Sequence, residues 1–145
     1  MACPLFEPTE RLDWQGWSGR FRPPLGAPHA GLCHAGLSHA GSCHAASPVD
    51  APAALLLDGC NMGYARGLCA KLPAAEADAF RLEVARLDAD AVEIDWLLEK
   101  DCLPLRHGRA RLDRASGLWC GQPSDAPLLL RQLQAFAAVL LDPQP

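Results

Sequence analysis

Hydrophobic and polar positions change their rhythm twice along the chain. From Phe80, apolar residues fall on every second position: Phe80, Leu82 and Val84 alternate with Arg81, Glu83 and Ala85, a period of two with one polar face. Leu87-Asp88-Ala89-Asp90 is polar enough to turn, and alternation resumes with Val92, Ile94, Trp96 and Leu98 against Glu93, Asp95, Leu97 and Glu99. Asp101 to Gly108, with Pro104 inside it, reads as a connection. Arg109–Asp113 then reads as a third strand, Ala115-Ser116-Gly117 as a turn and Leu118-Trp119-Cys120 as a short fourth strand.

The period then lengthens. Leu129, Leu133, Phe136 and Leu140 recur at helical spacing, with Arg131, Gln132 and Gln134 placed off that face. Ser124 or Asp125 supplies an N-cap, Pro127 sits in the first turn where a missing N–H costs nothing, and Asp142-Pro143 ends the helix. An antiparallel meander has one apolar face, and an amphipathic helix is its natural cover. The expected fold class is α+β: an irregular Cys-rich N-terminal half, then a small antiparallel sheet of three or four strands covered by a C-terminal helix.

Residues 1–75 lack both rhythms. Up to about residue 28 the chain carries Phe6, Trp14, Trp17, Phe21 and Pro23-Pro24 among glycines, and reads as irregular chain held by its aromatics. Residues 29–48 contain a five-residue repeat: His29-Ala30-Gly31-Leu32-Cys33, His34-Ala35-Gly36-Leu37-Ser38 and His39-Ala40-Gly41-Ser42-Cys43. A period this short is no solenoid unit; it reads as low complexity of the His/Cys-rich kind, and as a candidate disordered segment. After Leu55-Leu56-Leu57 comes a Gly-punctuated stretch from Cys60 to Cys69. The domain boundary is drawn between a Cys/His-rich region, 1–75, and a small α+β domain, 76–145. That domain lies below the roughly 70–80 residues at which one hydrophobic core usually suffices, so a staple from the preceding region would help it.

Composition narrows the function classes. The 145 residues carry 13 Lys and Arg against 17 Asp and Glu, a net charge of −4, which disfavours a nucleic-acid binder. No apolar run approaches the ~18 residues of a membrane span, and no secretory signal is visible, so the expected location is cytoplasmic. Seven cysteines in such a compartment point to metal or thiol chemistry rather than to disulfides.

Three constellations compete for that role. The first is a four-thiolate site from Cys3, Cys33, Cys60 and Cys69, suited to Zn2+ or to an iron–sulfur cluster, because soft charged sulfur satisfies both. Arg66 adds a cation beside it for a bound cluster. The second set is His29, Cys33, His39 and Cys43, two His-x-x-x-Cys pairs that share a face if locally helical; it shares Cys33 with the first. A chain using it would take up and release an ion. The third is metal-free thiol chemistry at Cys69, near Arg66 and Lys71, or at Cys102, near Arg106 and His107. Cys102 and Cys120 read equally as small buried residues.

Arg106, Arg109, Arg111 and Arg114 form a basic stretch, which cross-strand ion pairs with Glu83, Glu93 and Asp95 would neutralise. No phosphate-binding loop, dinucleotide fingerprint or His-Glu-x-x-His motif occurs. The expected function is therefore a small metal-binding protein with a structural or redox four-cysteine site and a protein partner. Metal handling by the repeat and a thiol-dependent enzyme are the alternatives.

Overall fold

A computed structural model describes residues 1–13, 22–34, 49–50, 60–61 and 77–142. Among them are seven strands and one helix: β1 (Phe6–Arg11), β2 (His29–Cys33), β3 (Val49–Asp50), β4 (Ala79–Leu87), β5 (Ala91–Lys100), β6 (Leu103–Asp113), β7 (Trp119–Cys120) and α1 (Pro127–Leu141). The strands form two antiparallel sheets, β1-β2-β3 and the meander β4-β5-β6-β7. The fold class is α+β, and no helix among the described residues is long and apolar enough to cross a membrane.

The meander follows its alternating pattern. Phe80, Leu82, Val92, Ile94, Trp96, Leu98, Ala110 and Leu112 are buried on one face. Strand β6 is longer than the sequence indicates, because Leu103–Gly108 belongs to it rather than to a connection. Asp101 and Cys102 both take positive φ (52° and 62°), so two residues suffice for the hairpin. The Asp78 carboxylate accepts the Asp101 N–H at 2.6 Å. Pro104 is tolerated because it pairs where the β5–β6 register shifts, at Leu98/Glu99.

Helix α1 begins with Pro127 as expected, but neither Ser124 nor Asp125 caps it; Ala126 is the N-cap and makes no side-chain cap. The Asp125 carboxylate is taken by Arg106, which donates to it twice, at 2.9 and 3.0 Å. Leu129, Leu133 and Phe136 face the core, joined by Gln132, Ala137 and Val139. Gln132 is fully buried, contrary to its expected place off the apolar face. It lies three residues after Leu129 and four before Phe136, inside the apolar stripe.

The N-terminal half corrects the sequence reading most. Phe6–Arg11 is a strand rather than irregular chain, and His29–Cys33, the first copy of the repeat, is the central strand of its sheet. The pairs run from Phe6 opposite Cys33 to Arg11 opposite His29, with a register shift between Pro8 and Glu10 that breaks the local alternation. Gly31 is required there: a Cβ would stand 2.1 Å from the Glu7 carbonyl oxygen and 2.5 Å from the Phe6 ring.

One core serves both sheets. Ala2, Cys3, Phe6, Leu25 and Cys60 pack in the same cluster as Phe80, Ile94, Leu133 and Phe136. Ala2 and Phe80 exchange backbone hydrogen bonds at 2.7 and 2.8 Å, tying the N-terminal segment to β4. The expected boundary at 75/76 lies outside the described residues.

Candidate functional site

Where the N-terminus meets the Cys60 segment, backbone bonding sets a corner of the fold. The Cys3 N–H donates to the Cys60 carbonyl at 3.2 Å, and the Phe6 N–H donates to the Cys3 carbonyl at 3.1 Å, closing a turn. Phe6 then stands opposite Cys33 in the β1–β2 ladder. Three of the four expected thiolate ligands therefore belong to adjoining backbone segments. Cys3 and Cys60 are buried, and Cys33 is half-buried. Cys69 and Arg66 lie outside the described residues. Among the described residues, no three His, Cys, Asp or Glu side chains converge on a common point suited to a metal ion.

Two side-chain amides hold this corner. Gln132 reaches from α1 and its Nε2 donates to the carbonyls of Cys3 and Phe6, each at 2.7 Å. Asn61, directly after Cys60, mimics a neighbouring strand: its Oδ1 accepts the His29 N–H at 3.1 Å and its Nδ2 donates to the His29 carbonyl at 2.9 Å. The corner is thereby clamped to both the helix and β2. Neither residue stood out in the sequence, since a buried amide interrupts a hydrophobic pattern rather than making one.

His29 is buried, and its Nδ1 lies 2.9 Å from the Ala27 carbonyl. A carbonyl only accepts, so Nδ1 carries the proton of the neutral ring. Burial holds the imidazole below its ordinary pKa, outweighing the Ala27 hydrogen bond. In the second ligand set, His29 and Cys33 were to meet across a helical turn. They stand at opposite ends of β2, and four residues of extended chain span ~13 Å, too far for one ion. His39 and Cys43 lie outside the described residues.

The remaining cysteines are exposed rather than buried. Cys102 occupies the β5–β6 turn and Cys120 ends β7. Arg106, the cation expected near Cys102, is engaged with Asp125.

Two arginines of the basic stretch pair across strands as expected, while Arg106 pairs with Asp125 and Arg114 donates to the Asp88 carbonyl. Arg109 donates to the Asp95 carboxylate at 2.6 and 2.9 Å, and Arg111 reaches Glu93 at 3.3 Å. The Arg109 hydrogen bonds hold the Asp95 carboxyl below its ordinary range. A hollow of about 590 Å³ over this face is lined by Arg81, Glu83, Asp95, Leu97, His107 and Arg109. Arg81 lies 3.1 Å from Glu99 and 3.8 Å from Glu83, so the hollow's guanidinium groups have carboxylate partners.

Comparisons with protein-family profiles, with curated proteins and with solved structures give no match. Function rests on the chemistry of these residues alone.

Proposed function

We propose that this chain is a small metal-binding protein in which Cys3, Cys33, Cys60 and Cys69 hold Zn2+ or an iron–sulfur cluster. The observation that carries the reading is the hydrogen bond from Cys3 to Cys60 across 57 positions of sequence, with Cys33 one strand pairing away. Backbone segments that carry Cys3, Cys33 and Cys60, distant in sequence, adjoin in one corner, and that corner is braced by Gln132 and Asn61. Bracing of this kind fixes the backbone from which ligands project, so a metal is met by an ordered donor set.

The role is structural or redox according to the occupant. Zinc would tie the β1–β2 sheet to the Cys60 segment and contribute folding energy directly. A cluster would add electron transfer, with Arg66 as a cation near the thiolates. In either case the partner is another protein.

Elemental analysis with a visible absorption spectrum, on anaerobically purified protein, tests the reading. Iron with acid-labile sulfide and a broad band near ~400 nm identifies a cluster. One tightly held zinc without colour identifies a structural site. Protein that is folded and metal-free overturns the reading.

A further inference from the structure

Beside β1 and β2, the C-terminal half of α1 leaves a cleft of about 470 Å³ that the metal reading does not use. Its polar lining is Thr9, Arg11, His29, Arg131, Gln134 and Asp142. We propose that this cleft binds an oxyanion, a phosphate or carboxylate group gripped between the guanidinium groups of Arg11 and Arg131.

The hydrogen bonding of Arg11 points to an acceptor. Its Nη1 donates to the Asp142 carbonyl at 2.7 Å, which anchors the guanidinium at the end of α1. Its Nε–H is buried and meets no acceptor among the described residues. The edge formed by Nε and Nη2 is one that takes carboxylate or phosphate through two parallel bonds. A buried donor without an acceptor is costly, and an anion seated against this edge of the guanidinium would remove that cost.

Charge bookkeeping agrees. On the four-stranded sheet, Arg81, Arg86, Arg106, Arg109 and Arg111 each lie within 4.0 Å of a carboxylate. In the cleft, neither Arg11 nor Arg131 has such a partner among the described residues. Opposing them are the Asp142 carboxylate and the negative end of the helix dipole, the latter partly offset by the Arg11 bond to the Asp142 carbonyl. Among the described lining residues, the anchored Arg11 and the exposed Arg131 against one carboxylate leave the cleft one positive charge in excess.

The proposal involves no cysteine and stands apart from the metal reading. The test uses the full chain as purified, titrated calorimetrically with inorganic phosphate and, separately, with succinate at ionic strength fixed by chloride. Saturable single-site binding of at least one anion is expected, and which one binds assigns the ligand class. Arg131→Gln should weaken it by roughly tenfold or more, as loss of a charge-assisted pair implies. Arg11→Lys, which keeps the charge but loses the fork, should weaken it comparably and leave the metal content of the protein unchanged. Arg114→Gln, on the β6–β7 turn, should bind as the parent does. Failure of both anions to saturate, parental affinity in Arg131→Gln, or an equal loss in Arg114→Gln would each overturn the proposal.

Discussion

The side-chain amide of Asn61 lies along the main chain of His29, accepting from its N–H and donating to its carbonyl. Both residues are buried, so neither backbone group has water as a substitute. Asn61→Ala should therefore cost about 2–4 kcal/mol, from two buried groups left without partners. Asn61→Asp should cost more, since it removes the donor and buries a charge. Urea denaturation of the three proteins gives the comparison; an Asn61→Ala protein as stable as the parent would refute the bracing role.

Gln132 makes a parallel case from the helix. Gln132→Leu fits the apolar stripe yet strips the Cys3 and Phe6 carbonyls of their donor, and should destabilise by about 2–3 kcal/mol. A core made purely of hydrophobic packing would instead gain from this change. If the cysteine corner holds metal, the bound metal per chain should fall with it.

Cys60→Ser should lower folded stability and metal content together under the metal reading, whereas deletion of residues 34–44 should leave both nearly unchanged. An unaltered melting curve and unaltered metal in Cys60→Ser would sink the four-thiolate site. Loss of metal on deletion, with Cys60→Ser intact, would transfer the role to the repeat.

The meander and the helix were legible because their residues face one of two environments, apolar core or water. Val92, Ile94, Trp96 and Leu98 show this directly, as does the pairing of Arg109 with Asp95. The N-terminal sheet was not legible. Its strand β1 contains Pro8 and a register shift, and β2 holds a glycine that clears space for Phe6 rather than packing itself. Strands of that kind are specified by their neighbours, not by alternation. The thiol positions were readable as chemistry, but only the chain path brought Cys3 to Cys60. Leu103–Gly108 was obscured by Pro104, and Gln132 by its polarity.

His29 supplies a pH dependence with a definite sign. Its folded pKa lies below the ordinary value of 6.5, so the unfolded chain binds the proton more readily. The contribution of the neutral ring is complete above 6.5 and is lost as pH falls from there towards the folded pKa. Denaturation midpoints should decline over this acid window, and His29→Gln should flatten that part of the curve. The lowered carboxyl of Asp95 acts in the same direction at lower pH, below its ordinary 3.8. An identical slope in both proteins between neutrality and pH 5 would refute the assignment.

Gly31→Ala should destabilise by about 3 kcal/mol, because a backbone carbonyl and a buried ring both stand where the methyl must go. Gly36→Ala and Gly41→Ala, equivalent in the repeat, offer the comparison by thermal melting. Parity between Gly31→Ala and the parent would contradict the close approach of β1 and β2.

The central strand of the N-terminal sheet is drawn from a set of near-copies, which gives this chain an internal supply of replacement parts. Loss of residues 29–33 would bring His34-Ala35-Gly36-Leu37-Ser38 directly behind Pro28, with histidine and glycine in their former places. Loss of ten residues would bring His39-Ala40-Gly41-Ser42-Cys43 there instead. The first exchange preserves the strand's steric fit and deletes its thiol; the second preserves both. Contraction of the repeat by one unit or by two thus has opposite chemical consequences, and a segment built by simple duplication carries a choice between a sheet alone and a sheet with a thiol.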